Sequence, residues 1–153
     1  MIGVVASDPL DLAERGDTGA ADYRWTFTTS THEAEAMTPE MWLRAVWEDA
    51  PTVMRVFLRF GWRVGLGLRL GPADSSHVLG WHIDASTDAL VVVSARSPIL
   101  SATNTLVARG DVLEWQTDVR FEHVIGRIVW FPASLLHQRI VPWSVRRSVR
   151  SRR

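Results

Sequence analysis

The sequence predicts an α+β domain in which a curved antiparallel sheet wraps around a long C-terminal helix, with a helical hairpin after the first strand. Three observations carry that expectation. Successive stretches between residues 77 and 121 alternate apolar and polar residues and are punctuated by turn signals, as a meander of half-buried strands should be. Between Ile125 and Trp143 the apolar positions recur instead at threes and fours, the spacing of one helical face. Between residues 39 and 70, two runs with helical spacing are separated by Pro51, which disfavours helical geometry in the residue before it.

Residues 1–21 mix Asp, Gly, Ala and Ser with Pro9 and read as a flexible N-terminal arm, leaving 22–150 as the domain. Tyr23, Trp25 and Phe27 alternate with Arg24, Thr26 and Thr28 in a first strand. Thr38 is placed to cap a helix over 39–49, with Pro39 at its first position and Glu40 in its first turn. A second helix is expected from Thr52 to about Leu70, where Gly71-Pro72 stops it. Its arginines 55, 59, 63 and 69 share one third of the circumference. Val53, Val56, Phe57, Phe60, Val64, Leu66 and Leu68 fill the rest, an arc wide enough to imply contact on more than one side.

In the meander, HVLGWHIDA points Leu79, Trp81 and Ile83 to one face, and the strands ALVVVSA and ILSATNTLVA follow. Arg109-Gly110-Asp111 is the hairpin connection to VLEWQTDVRF. This last strand sets Leu113, Trp115, Thr117, Val119 and Phe121 inward and Glu114, Gln116, Asp118 and Arg120 toward water. On the closing helix, Ile125, Ile128, Val129, Pro132, Leu135, Leu136, Ile140 and Trp143 are expected to face the sheet, with Arg127, Ser134 and Gln138 opposite.

Composition bounds the chemistry. Seventeen basic residues, all Arg, balance 17 acidic ones, so nothing indicates a general affinity for nucleic acid. With no cysteine, disulfides, thiolate nucleophiles and thiolate metal sites are excluded. The N-terminal segment has only a short apolar run followed by acids, unlike a secretory signal, so a cytoplasmic location is the expectation. Eight tryptophans are many for 153 residues and suggest a thick core or an aromatic-lined pocket.

Two stretches, LRAVWEDAP at 43–51 with the Arg-studded helix after it, and HVIGRIVW with LLHQRIVPWSVRR at 123–147, resemble an uncharacterised bacterial family of the helix-grip START and polyketide-cyclase-like superfamily. The resemblance covers residues 22–150. It implies the helix-grip fold, a cavity between the sheet and the C-terminal helix, and either hydrophobic ligand binding or cofactor-independent cyclase-like or dehydratase-like chemistry.

Within that cavity the inward phase places Trp81, Asn104, Trp115 and Thr117, and the closing helix contributes Trp130 and His137. Asn104 shares its phase with Leu100, Ala102 and Leu106, and an inward amide must find a partner or leave donors unpaired at about 1–3 kcal/mol. His123 stands at the strand-to-helix junction, where it is either a helix cap or, together with His137, a candidate acid or base. His82 and Asp84 share the solvated face of a strand, and no metal or other cofactor is expected. No nucleophile elbow, phosphate loop or dinucleotide glycine pattern occurs. A hydrophobic small molecule is therefore the expected partner. Weak membrane-surface contact is the alternative, through the Arg-striped helix or the basic C-terminus, where residues 139, 146, 147, 150, 152 and 153 are all Arg.

Overall fold

A six-stranded antiparallel sheet forms one layer and helices the other in the computed structural model, which describes residues 21–152. Apart from position 21, the expected N-terminal arm lies outside the described residues. The strands are β1 (Tyr23–Ser30), β2 (His77–Val78), β3 (Trp81–Ser86), β4 (Leu90–Arg96), β5 (Leu100–Arg109) and β6 (Val112–Phe121), in spatial order β1-β6-β5-β4-β3-β2. The helices are α1 (Pro39–Trp47), α2 (Thr52–Phe60) and the long α3 (Val124–Arg150). The main core lies between the inner face of the sheet and the layer formed by α1 and α3.

The register follows the alternation expected from the sequence. Trp25, Thr117, Asn104, Val93 and Ile83 lie side by side across five strands, and Phe27, Trp115, Leu106 and Val91 form the next inner row. Trp81 and Trp115 are buried, as that phase requires. The other face differs from expectation. Gln116 is 1% exposed and Glu114 and Asp118 are half-buried, although all three were expected in water. Asp118 accepts from Arg24 Nε at 2.6 Å and from Gln116 Nε2 at 2.9 Å. Thr26, Gln116, Thr105 and Val92 lie in register beside them, so the outer face is a paired polar lattice that grades into a small apolar cluster of Leu90, Val92 and Val107.

HVLGWHIDA is two strands rather than one. The chain reverses at Leu79 and Gly80, both at positive φ (48° and 92°), and a Cβ on Gly80 would also meet Leu70 at 2.7 Å. Helix α1 begins as its sequence dictates: Thr38 Oγ1 accepts from Met41 N–H, Pro39 opens the first turn, and Glu40, Arg44 and Glu48 form an i,i+4 ladder. Helix α2 stops at Phe60, ten residues short of expectation. The glycines at 61, 65 and 67 weaken helical geometry, so the chain passes through a single π-helical turn at Gly61–Gly65 and leaves it with Gly67 at φ +66°. The expected contact on several sides is also absent, because α2 buries none of its residues.

Helix α3 is present at its expected place but turned. The residues facing the core are Gly126, Trp130, Ser134, Val141, Ser144, Val145, Ser148 and Val149. Ile125, Ile128, Leu135, Leu136 and Trp143, expected against the sheet, are exposed, and Ser134, expected outside, is buried. Gly126 fixes this rotation. A Cβ there would lie 2.3 Å from the Ile99 carbonyl oxygen, so only glycine lets the helix approach the β4–β5 turn. One turn on, Trp130 meets Tyr23 edge-to-face at 5.3 Å.

Candidate ligand cavity

Because the face α3 turns to the sheet is built of Ala, Ser and Gly as much as of large side chains, helix and sheet do not close on each other. A cavity of about 580 Å³ remains between them, completed by α2 and the π-helical turn. Five of the eight tryptophans line it: Trp47, Trp62, Trp81, Trp115 and Trp130. Trp47 is the hub, with ring centroids 5.0 Å from Trp62 and 5.5 Å from both Trp81 and Trp115. Phe57, Phe60, Ile128 and Leu136 line the cavity yet are largely exposed, so its mouth lies between α2 and α3.

The polar groups are gathered on one wall. Trp115 Nε1–H donates to Asn104 Oδ1 and to Thr117 Oγ1, 3.1 Å each. Thr117 Oγ1 lies 2.6 Å from Asn104 Oδ1 and 2.9 Å from His137 Nε2. Protons can be assigned by elimination. An indole N–H only donates, so the Asn104 atom facing it is the oxygen; that oxygen only accepts, so Thr117 gives it its single hydroxyl proton. The Thr117 oxygen must then accept from His137, which carries its proton on Nε2. Nδ1 is left as a bare lone pair, out of reach of solvent and unpartnered among the described residues. The ring is wedged against Trp25 at 5.0 Å and Trp130 at 5.8 Å. Burial pushes the His137 pKa down to about 4, so the ring is neutral at physiological pH.

Of the residues expected to form the site, Trp81, Asn104, Trp115, Thr117, Trp130 and His137 all line this cavity. His123 does not. Its exposed Nδ1 accepts from Ile125 N–H at 3.1 Å, capping α3 instead of facing the interior. Sequence reasoning missed Trp47, Trp62, Ala133 and Ser144. Trp47 is a buried residue at the end of α1, where helical spacing alone reads as core, and Trp62 belongs to a π-helical turn that no periodicity announces. His82 and Asp84 form an exposed pair, Nδ1 to Oδ1 2.9 Å. Among the described residues no three His, Cys, Asp or Glu side chains are grouped to hold a metal.

No family model, curated protein or solved structure significantly matches this chain. Among the described residues no helix is long and apolar enough to cross a membrane.

Proposed function

We propose that this protein is a helix-grip module that holds one hydrophobic small molecule between the inner face of its sheet and α3. The observation that carries this reading is the cavity: about 580 Å³, walled by aromatic and aliphatic side chains, with few polar groups, of which Asn104, Thr117 and His137 form one hydrogen-bonded cluster. Ligand pockets typically span about 300–1,000 Å³ with that distribution of polarity. An empty void of this size weakens a core, and larger residues in place of Ala133 or Ser144 would fill it. Binding is favoured over acid–base catalysis by the two histidines. His123 is a helix cap outside the cavity, and His137 has Nε2 committed to Thr117 and Nδ1 occluded.

Titration with the neutral fluorophore phenylnaphthylamine tests the reading. Saturable binding, one per chain, is expected, with Ala133→Phe weakening it about tenfold or more, equivalent to about 1.4 kcal/mol of displaced contact. Absence of saturable binding by the unaltered, folded protein would sink it.

A second reading, peripheral docking on an anionic bilayer, is favoured by α2. Val53, Val56, Phe57, Phe60 and then Val64 are exposed, arginines 55, 59 and 63 provide the charge, and no acid occurs from 52 to 65. Across the mouth α3 exposes Ile128, Phe131 and Leu135. A basic amphipathic helix of this kind suits the membrane interface. The C-terminal arginines supply less free charge. Arg147 donates to the Asp49 carbonyl, Arg152 faces the Asp49 carboxylate at 3.9 Å and Trp42, and Arg146 lies over Phe27. In vesicle sedimentation, Phe57→Ser with Phe60→Ser should abolish binding to phosphatidylglycerol-containing vesicles at low salt. Equal sedimentation with neutral vesicles, or none with either, would remove this reading; self-association without lipid would assign the face to a second copy of the chain.

A further inference from the structure

We infer that the occupant of the cavity is an uncharged, lipophilic molecule whose carbonyl oxygen accepts a hydrogen bond from the Asn104 carboxamide Nδ2. The inference rests on the ligand-binding reading above and specifies its chemistry.

Orientation comes first. The Asn104 oxygen is fixed by a donor-only indole and by a hydroxyl whose proton has nowhere else to go, so the amide cannot flip without opposing the Trp115 N–H with its own NH₂. The NH₂ group is therefore turned away from Trp115 and Thr117. Asn104 is 5% exposed, belongs to the inner face of a central strand and lines the cavity. Its Nδ2 donates to no acceptor among the described residues, yet it is not one of the atoms sealed off from a water-sized sphere. The accessible surface it retains is cavity surface. Two amide protons are thus presented to an apolar chamber by a side chain that cannot turn them elsewhere.

Such a donor discriminates. A buried N–H left without an acceptor forfeits its hydrogen bond to water with nothing in return, so a hydrocarbon occupant is penalised and one with an oxygen at that point is not. Ser144 adds a hydroxyl from the α3 wall that can donate or accept, whereas the amide nitrogen only donates, and so it sets the requirement. Charge is excluded by the wall itself. No Arg, Asp or Glu lines the cavity, and its one titratable group, His137, is neutral, so a carboxylate or ammonium would enter without a counter-charge. A ketone, ester or amide oxygen on an apolar frame fits both conditions.

The experiment compares the naphthyl ketone prodan with the analogue in which an alkyl chain replaces its acyl group, on the full chain and on Asn104→Leu. Prodan affinity is expected to fall about tenfold in the variant, the scale of one net hydrogen bond, while the alkyl analogue, no longer set against an unpaired N–H, binds at least as tightly as before. The carbonyl stretch of bound prodan should lie below its value in hexane for the unaltered protein, a reading that needs no variant and stands even if Asn104→Leu does not fold. If both ligands bind but the variant weakens both equally or neither, or the stretch matches hexane, the Asn104 role is overturned while cavity binding survives. Failure of both ligands to bind the unaltered protein would overturn the cavity reading and this inference together.

Discussion

His137 sits half-buried on α3 with its pKa held down to about 4 by burial, while the same ring in an unfolded chain takes up a proton near 6.5. The unfolded state therefore binds more protons through that interval, and stability falls as pH drops from 6.5 towards 4, by about 3 kcal/mol at most, then stops changing on this account. Urea unfolding across that range is expected to show the loss in the unaltered protein and a flatter profile in His137→Gln. Parallel profiles would mean that the ring is solvated. Trp115, 1% exposed and bonded to Asn104 and Thr117, makes a second prediction at this scale. Trp115→Ala should cost roughly 3–5 kcal/mol, as aromatic truncations in packed cores do. An unchanged unfolding midpoint with loss of phenylnaphthylamine binding would make Trp115 a ligand wall alone. Residues of this kind were legible because strand alternation has period two: once Trp115 points inward, Thr117 does too, and the register brings Asn104 beside it. His123 was not separable from His137 in that way, since a junction histidine caps or faces inward according to one backbone turn.

Among the elements, α3 is the one whose place was legible and whose rotation was not. A helix of 27 residues carrying two apolar stripes offers periodicity to both, and the richer stripe, Ile125 to Trp143, is turned to the flank of the cavity and its mouth, with Ile125, Leu135 and Trp143 left outside. What decides is close approach at Gly126, a property of the Ile99 carbonyl opposite it and so of tertiary structure. Gly126→Ala is accordingly expected to destabilise by about 1–3 kcal/mol, the usual cost of overpacking, although alanine is the better helix former by about 1 kcal/mol. A neutral or stabilising result by thermal unfolding would show that α3 can tilt away from β5 at no cost. In α2 the wide apolar arc was read correctly as sequence but wrongly as contact. Three glycines release the chain from the helix before it can pack, and Leu66 and Leu68 alone of that arc reach the core.

For the whole molecule, alternation and helical spacing were enough to specify an antiparallel sheet under a long terminal helix, because each strand's pattern names its inner face. The volume between the layers is not written in any local pattern. It depends on how far a small-residue helix face stands from the sheet, and so the cavity, the π-helical turn bordering it and Trp62 emerge only in three dimensions. A saturating occupant of that volume should raise stability by about 2.7 kcal/mol at a hundredfold excess over its dissociation constant, which thermal shift with prodan measures; no shift despite bound dye would place the dye on the outer surface. The tryptophan hub has an optical consequence as well. The ring pairs Trp47–Trp62, Trp47–Trp81, Trp47–Trp115 and Trp62–Trp81 have centroids 5.0–5.5 Å apart at tilted and edge-on angles, close enough for their electronic transitions to mix. The folded protein should therefore show a paired positive and negative band in its circular dichroism that isolated indoles lack. Trp47→Phe would weaken it and leave only the Trp62–Trp81 pair, 5.4 Å apart, making the chromophores of the cavity wall a label-free reporter of whether that wall is intact.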